Sequence, residues 1–111
     1  MTKIALPLVE GKFSMHFGHC EEFAVFDVEG KEIKSKINIT PPPHEPGVLP
    51  EFMHQQGVDC IIASGMGMRA QQLFEQKGIK VIVGAIGKDP EKIVNEYIND
   101  SLETGENACD H

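Results

Sequence analysis

The chain has 111 residues, 41% of them apolar and 24% charged, which suits one soluble domain and is too short for two. Its net charge of −7, with Lys and Arg scattered rather than gathered into a basic stripe, argues against a surface that grips nucleic-acid phosphates. No apolar run approaches the ~20 residues of a membrane-spanning helix, no export signal is recognisable, and Cys20, Cys60 and Cys109 make a poor disulfide framework, so reduced thiols in the cytoplasm are expected.

Residues 3–8 read as a short strand, with Pro7 marking its end because proline cannot donate to a ladder. Residues 9–20 read as a loop. Residues 23–28 and 33–39 make a hairpin turning at Glu29-Gly30, and the second arm alternates Ile33, Ser35, Ile37 and Ile39 against Lys34, Lys36 and Asn38. Lys31, Lys34 and Lys36 read as its solvated face. Pro41-Pro42-Pro43 stops that strand. A helix is expected over about 47–57, with Leu49, Phe52 and Met53 on one face, Pro50 in the first turn and Gly57 closing it.

Residues 58–64 form a continuous apolar run, the pattern of a buried parallel strand. Gly65-Met66-Gly67 then turns into a helix over about 67–77, with Ala70, Leu73 and Phe74 inward and Gly78 as its stop. The next strand covers 79–83. Asp89-Pro90 is an N-cap followed by proline in the first turn, and Ile93, Val94, Tyr97 and Ile98 make the apolar face of the last helix. Residues 1–100 are expected to form a single cofactor-binding domain, and 101–111 an acidic, mobile tail without Lys or Arg.

The element order predicts an α/β fold with a mixed five-stranded sheet. If the first three strands form an antiparallel meander and the helical crossovers return parallel, strands one, three, four and five end at one edge. Segments 9–20, 40–46, 64–67 and 84–87 then leave that edge together, bringing His16, His19, Cys20, His44, Met66 and Met68 near one another. Ligands of open α/β sheets bind outside such strand ends.

The donors there are chemically specific. Imidazole and thiolate suit iron, copper, zinc and iron–sulfur clusters, and His16-x-x-His19-Cys20 offers three of them in five residues. The bland alternative is a loop histidine pair beside a buried cysteine. No CxxC pair exists, which speaks against a closed structural zinc site. The Gly65-Met66-Gly67 turn opens a helix whose free N–H groups favour an anion, or simply makes a tight turn. Met66 and Met68 either offer thioethers or fill gaps. His44 is a fourth ligand or a solvated loop residue. His54 reads as surface and Cys60 as inert core. Cys109 and His111 either add ligands or belong to a frayed end.

Catalysis finds little support. Gly65-x-Gly67 lacks the third glycine of a dinucleotide fingerprint, and there is no GxxxxGK[ST] loop. The first strand carries no carboxylate for nuclease magnesium, and a Cys20–His nucleophile would have no orienting acid.

Three segments resemble the dinitrogenase iron–molybdenum cofactor biosynthesis family, which includes NifX, NafY and the NifB C-terminal domain: Ser14-x-His16-Phe17-Gly18, the 44–50 segment His-Glu-Pro-Gly-Val-Leu-Pro, and Gly65-Met66-Gly67-x-Arg69-Ala70. The resemblance implies a ribonuclease-H-like fold with strand order 3-2-1-4-5. It also implies non-catalytic binding or transfer of an iron–sulfur or iron–molybdenum-type cluster in the cytoplasm, as a small stand-alone member. His16 matches the family histidine and 65–70 its glycine turn. His19 stands where many members carry arginine, and His19-Cys20 looks more like direct ligation than electrostatic holding. The expected partners are cluster donor and acceptor proteins and a P-loop ATPase scaffold, with neither nucleic acid nor membrane. The alternatives are a mononuclear copper or zinc site, a molybdenum–copper sulfide as in an orange-coloured protein of this family, and a metal-free interaction module.

Overall fold

The computed structural model describes residues 2–14, 22–40 and 48–102. The elements run β1 (Thr2–Val9), β2 (Lys12–Phe13), β3 (Glu22–Glu29), β4 (Glu32–Ile39), α1 (Val48–Gln55), β5 (Cys60–Ile62), α2 (Met68–Gln76), β6 (Lys80–Ile82) and α3 (Pro90–Ile98). They build one mixed sheet along the path β4-β3-β1-β5-β6, with β2 paired to β1 off that path. The sheet therefore has six strands, not five. The strand missed is β2, set by the Leu8↔Phe13 and Val9↔Lys12 pairs inside what reads as loop.

The strand directions bring the proposed edge together. β3 is antiparallel to β1 and β4 to β3, while β5 is parallel to β1 and β6 to β5. The carboxyl ends of β1, β4, β5 and β6, and the start of β3, thus share one edge.

Pro7 does not end β1, which continues to Val9 with Pro7 opposite Phe23. The Pro7 carbonyl accepts from the Ser14 N–H at 2.9 Å, so its missing donor faces the β2 side, away from the β3 ladder. β4 also departs from simple alternation. Val28 pairs with Ile33 but Asp27 with Ser35, which leaves Lys34 as a bulge. Ile33 consequently packs with one core layer and Ile39 with the other, while Ile37 stays 55% exposed.

Two apolar layers sandwich the sheet. On one face Leu49 and Met53 of α1 and Phe74 of α2 meet Phe23, Val25 and Ile61. On the other, Ile93 and Val94 of α3 meet Ile4, Leu6, Phe26 and Ile62. Truncating a ring such as Phe74 in so closed a layer costs about 3–5 kcal/mol. Lys77 Nζ reaches Glu51 Oε2 at 2.6 Å and ties α2 to α1. Its hydrogen bond and charge hold the Glu51 carboxyl below its ordinary value. This contact helps the fold above the unfolded carboxyl value and is lost as pH falls through the lowered one.

The end of α3 sets the course of Ser101 and Leu102. Asp100 takes φ 58°, its N–H donates to the Tyr97 carbonyl, and the Ser101 N–H donates to the Glu96 carbonyl at 2.8 Å. This is the Schellman arrangement with aspartate where glycine is usual. It leads Leu102 back against the α3-side core. No helix among the described residues is long and apolar enough to cross a membrane.

Candidate functional site

The common edge is laced by backbone bonds. Beyond β5 and β6, Ala63 N–H donates to Ile82 O at 2.8 Å, Gly84 N–H to Ser64 O at 2.9 Å, and Ala85 N–H to Ala63 O at 3.2 Å. Phe13 N–H of β2 donates to Lys88 O at 2.9 Å and fastens the first hairpin to the same loop. The floor of the edge is therefore fixed on both sides of β1.

The glycine turn sits on this floor. Gly65 and Met66 are buried, whereas Gly67, Met68 and Arg69 are exposed. Gly67 caps α2 with no side chain to offer, so the first-turn N–H groups of α2 take no cap from their own N-cap residue. Gln71 folds back over the turn: its Nε2 donates to Met66 O at 2.8 Å, and its N–H donates to Gly67 O at 3.1 Å. Met66 is 1% exposed and packs in the core with Phe74 and Ile61, so its thioether fills space and only its backbone belongs to the turn. Met68 is 67% exposed.

Gly67 has an unusual economy. Its φ of −64° and ψ of 153° suit any residue, and a Cβ there would meet nothing within 4 Å. Neither backbone strain nor internal packing demands glycine at 67. A bare backbone next to uncapped helical N–H groups is what a bulky external anion needs for close approach.

His16, His19, Cys20 and His44 lie outside the described residues, as do Cys109 and His111. Their flanks are placed, however. Phe13 of β2 and Glu22 of β3 lie on opposite sides of Leu8, about 10 Å apart across two strand spacings. Segment 41–47 runs from the end of β4 to the start of α1. Among the described residues no three His, Cys, Asp or Glu side chains gather as a metal-ligand group.

Two other donors fall away from this edge. Cys60 is 3% exposed, its thiol donates to Tyr97 Oη at 3.9 Å, and burial pushes its pKa up, so it is an inert core thiol. Burial, followed by the Cys60 neighbour, raises Tyr97 as well. His54 is exposed in the last turn of α1. What the sequence reading misses is β2 and the clamp by Gln71. The signal for β2 is Glu10-Gly11 between Leu8 and Phe13, a two-residue turn flanked by apolar residues.

A protein of Methanocaldococcus jannaschii named as the uncharacterized protein MJ0580 is 37% identical in an 86-residue alignment that covers 73% of each chain. The crystal structure of PH0822 superposes with a TM-score of 0.86 at 28% identity, over 93% of this chain and 94% of that one. The apo form of the orange protein from Desulfovibrio gigas has the same fold, with a TM-score of 0.76 at 19% identity over 96% and 95% of the two chains. The profile of one family, described as dinitrogenase iron-molybdenum cofactor, matches residues 1–100. The chain belongs to the dinitrogenase iron-molybdenum cofactor family.

Proposed function

We propose that this protein carries or helps assemble an iron–sulfur or iron–molybdenum-type cluster without itself catalysing a reaction. His16, His19 and Cys20 serve as ligands, His44 stands beside them, and the Gly65–Gly67 backbone cradles the anionic cargo. The observation that carries this reading is convergence. β2, the start of β3 and the end of β4, which flank these residues in sequence, lie at the strand edge from which Gly65–Gly67 leads into α2. Cluster donor and acceptor proteins, with a P-loop ATPase scaffold among them, are the partners such cargo calls for. Residues 1–100 form the cofactor-binding domain, of the ribonuclease-H-like type, acting in the cytoplasm.

Sparse ligation suits transfer, because few strong bonds let the cargo leave. The test is anaerobic reconstitution with iron and sulfide, read by absorption and elemental analysis. Wild type takes up both elements, and His16→Ala and Cys20→Ala lose most of the uptake. Equal uptake by both variants removes the ligand assignment, and copper or zinc without sulfide in protein purified without oxygen replaces the cluster by a single metal. Gly67→Ala separates cradle from turn: stability changes by no more than about 1 kcal/mol, as for an altered N-cap, while uptake falls.

The exposed side chains of Met68 and Ile86 at this edge favour a second reading, a metal-free docking module. Unchanged partner affinity in metal-free protein after His16→Ala would support it.

A further inference from the structure

A cleft of about 410 Å³ opens at the edge between β2 and the loop after β6, lined by Lys12, Phe13, Ser64 and residues 85–88. Its walls are mostly apolar: the Phe13 ring, Ala85 and Ile86, with Gly87 at φ 139° shaping the loop. The backbone bonds from Phe13 to Lys88 and from Gly84 to Ser64 hold the two walls at fixed separation. Size, concavity and a few polar groups on an apolar lining are the marks of a small-molecule site.

Charge selects among ligands. In a chain of net charge −7, the ionisable residues lining this cleft among the described residues are Lys12 and Lys88, with no described carboxylate between them. The adjoining cleft shares Ile86, Gly87 and Lys88 but adds Asp89 and Glu96 beside Lys92, and those farther along α3 are lined by Glu91 with Lys92 or by Asp100. The nearest acid in sequence, Asp89, turns its carboxylate to the Glu91 N–H as the cap of α3. Both lysines are exposed, so neither ammonium pays for burial. Ser64, 7% exposed, lies on the floor.

We infer that this cleft binds a small organic anion with an apolar body, its carboxylate between Lys12 and Lys88 and its ring or branched chain against Phe13, Ala85 and Ile86. The cleft adjoins the glycine turn through Ser64, and the inference rests on the cleft's own lining and not on what that turn carries.

Benzoate titrated into the 15N-labelled full chain tests this, with sulfate and benzyl alcohol as parallel probes. Benzoate is expected to shift the amides of Phe13, Ala85, Ile86 and Gly87 saturably, with a dissociation constant on the order of 1 mM, as ligand efficiency allows for so few atoms. The double variant Lys12→Met, Lys88→Met, folded as judged by its spectrum, should weaken benzoate about tenfold, the range of a charge-assisted hydrogen bond. Ile86→Ala should weaken it too, by a smaller factor, through lost apolar contact. Sulfate acting equally on the same amides overturns the apolar half of the inference. Benzyl alcohol binding as well as benzoate, or indifference to the lysine substitutions, overturns the charged half. Absence of saturable shifts overturns the site.

Discussion

The tetrapeptide Val-Glu-Gly-Lys occurs twice, at 9–12 and at 28–31, and it reverses the chain in two different ways. In the first hairpin Val9 pairs with Lys12, so Glu10 and Gly11 form the turn, both in the left-handed region at φ 54° and 78°. In the second, Glu29 pairs with Glu32, so the turn shifts one residue on to Gly30 and Lys31, and only Gly30, at 62°, is left-handed. Identical local chemistry therefore does not choose the register; what the arms must reach does. The first arm has to set Phe13 opposite Leu8 over the α3-side core, and a one-residue shift would carry it opposite Glu10, off the end of the sheet. The second arm has to join a ladder in which Phe23 faces Ile39, and one bulge at Lys34 makes that fit.

The comparison can be broken most severely at Phe13. Replacing this buried ring by alanine should cost about 3 kcal/mol in urea unfolding and release β2 from Lys88, read as lost hydrogen-exchange protection at Phe13. Gly11→Ala and Gly30→Ala come next. Neither added methyl meets an atom, so each cost is conformational, about 1–2 kcal/mol, and the two should match. A sharper contrast lies at the preceding glutamates. Glu10→Asn relieves a left-handed position and should stabilise by roughly 0.5 kcal/mol, whereas Glu29→Asn relieves none and should not stabilise. Equal gains at both sites would mean the registers are not distinct. Ile37→Thr closes the series: an exposed edge residue, it should change the unfolding free energy by no more than about 0.5 kcal/mol.

Local pattern is enough for some elements and not for others. The three helices announce themselves through apolar periodicity and breakers, and Asp89-Pro90 caps α3 as its composition demands, with the Asp89 carboxylate on the Glu91 N–H. The runs 58–64 and 79–83 shrink to three-residue strands, because the ladder ends where the chain peels off toward the glycine turn and the 83–89 loop. β2 stays hidden because two residues carry no period, and part of its hold comes from the Lys88 carbonyl, which is far from its turn in sequence. At the candidate site the glycine turn and its edge are legible. Met66 is not: its burial depends on the α2–sheet contact, and a methionine reads the same as ligand or filler. His16, His19, Cys20 and His44 lie outside the described residues, and their ligation is a matter for the reconstitution experiment.

The bulge in β4 also bears on how the molecule behaves in a crowd. β4 is an eight-residue strand on the open border of the sheet, a length that invites a foreign strand to add itself and start a fibril. Lys34 kinks that border and pairs with Glu32 at 2.7 Å, while the Lys36 ammonium sits 5.8 Å from the centre of the Phe26 ring. The lysines that look like an idle wet face thus act as gatekeepers, and the exposed Ile37 is the gap they guard.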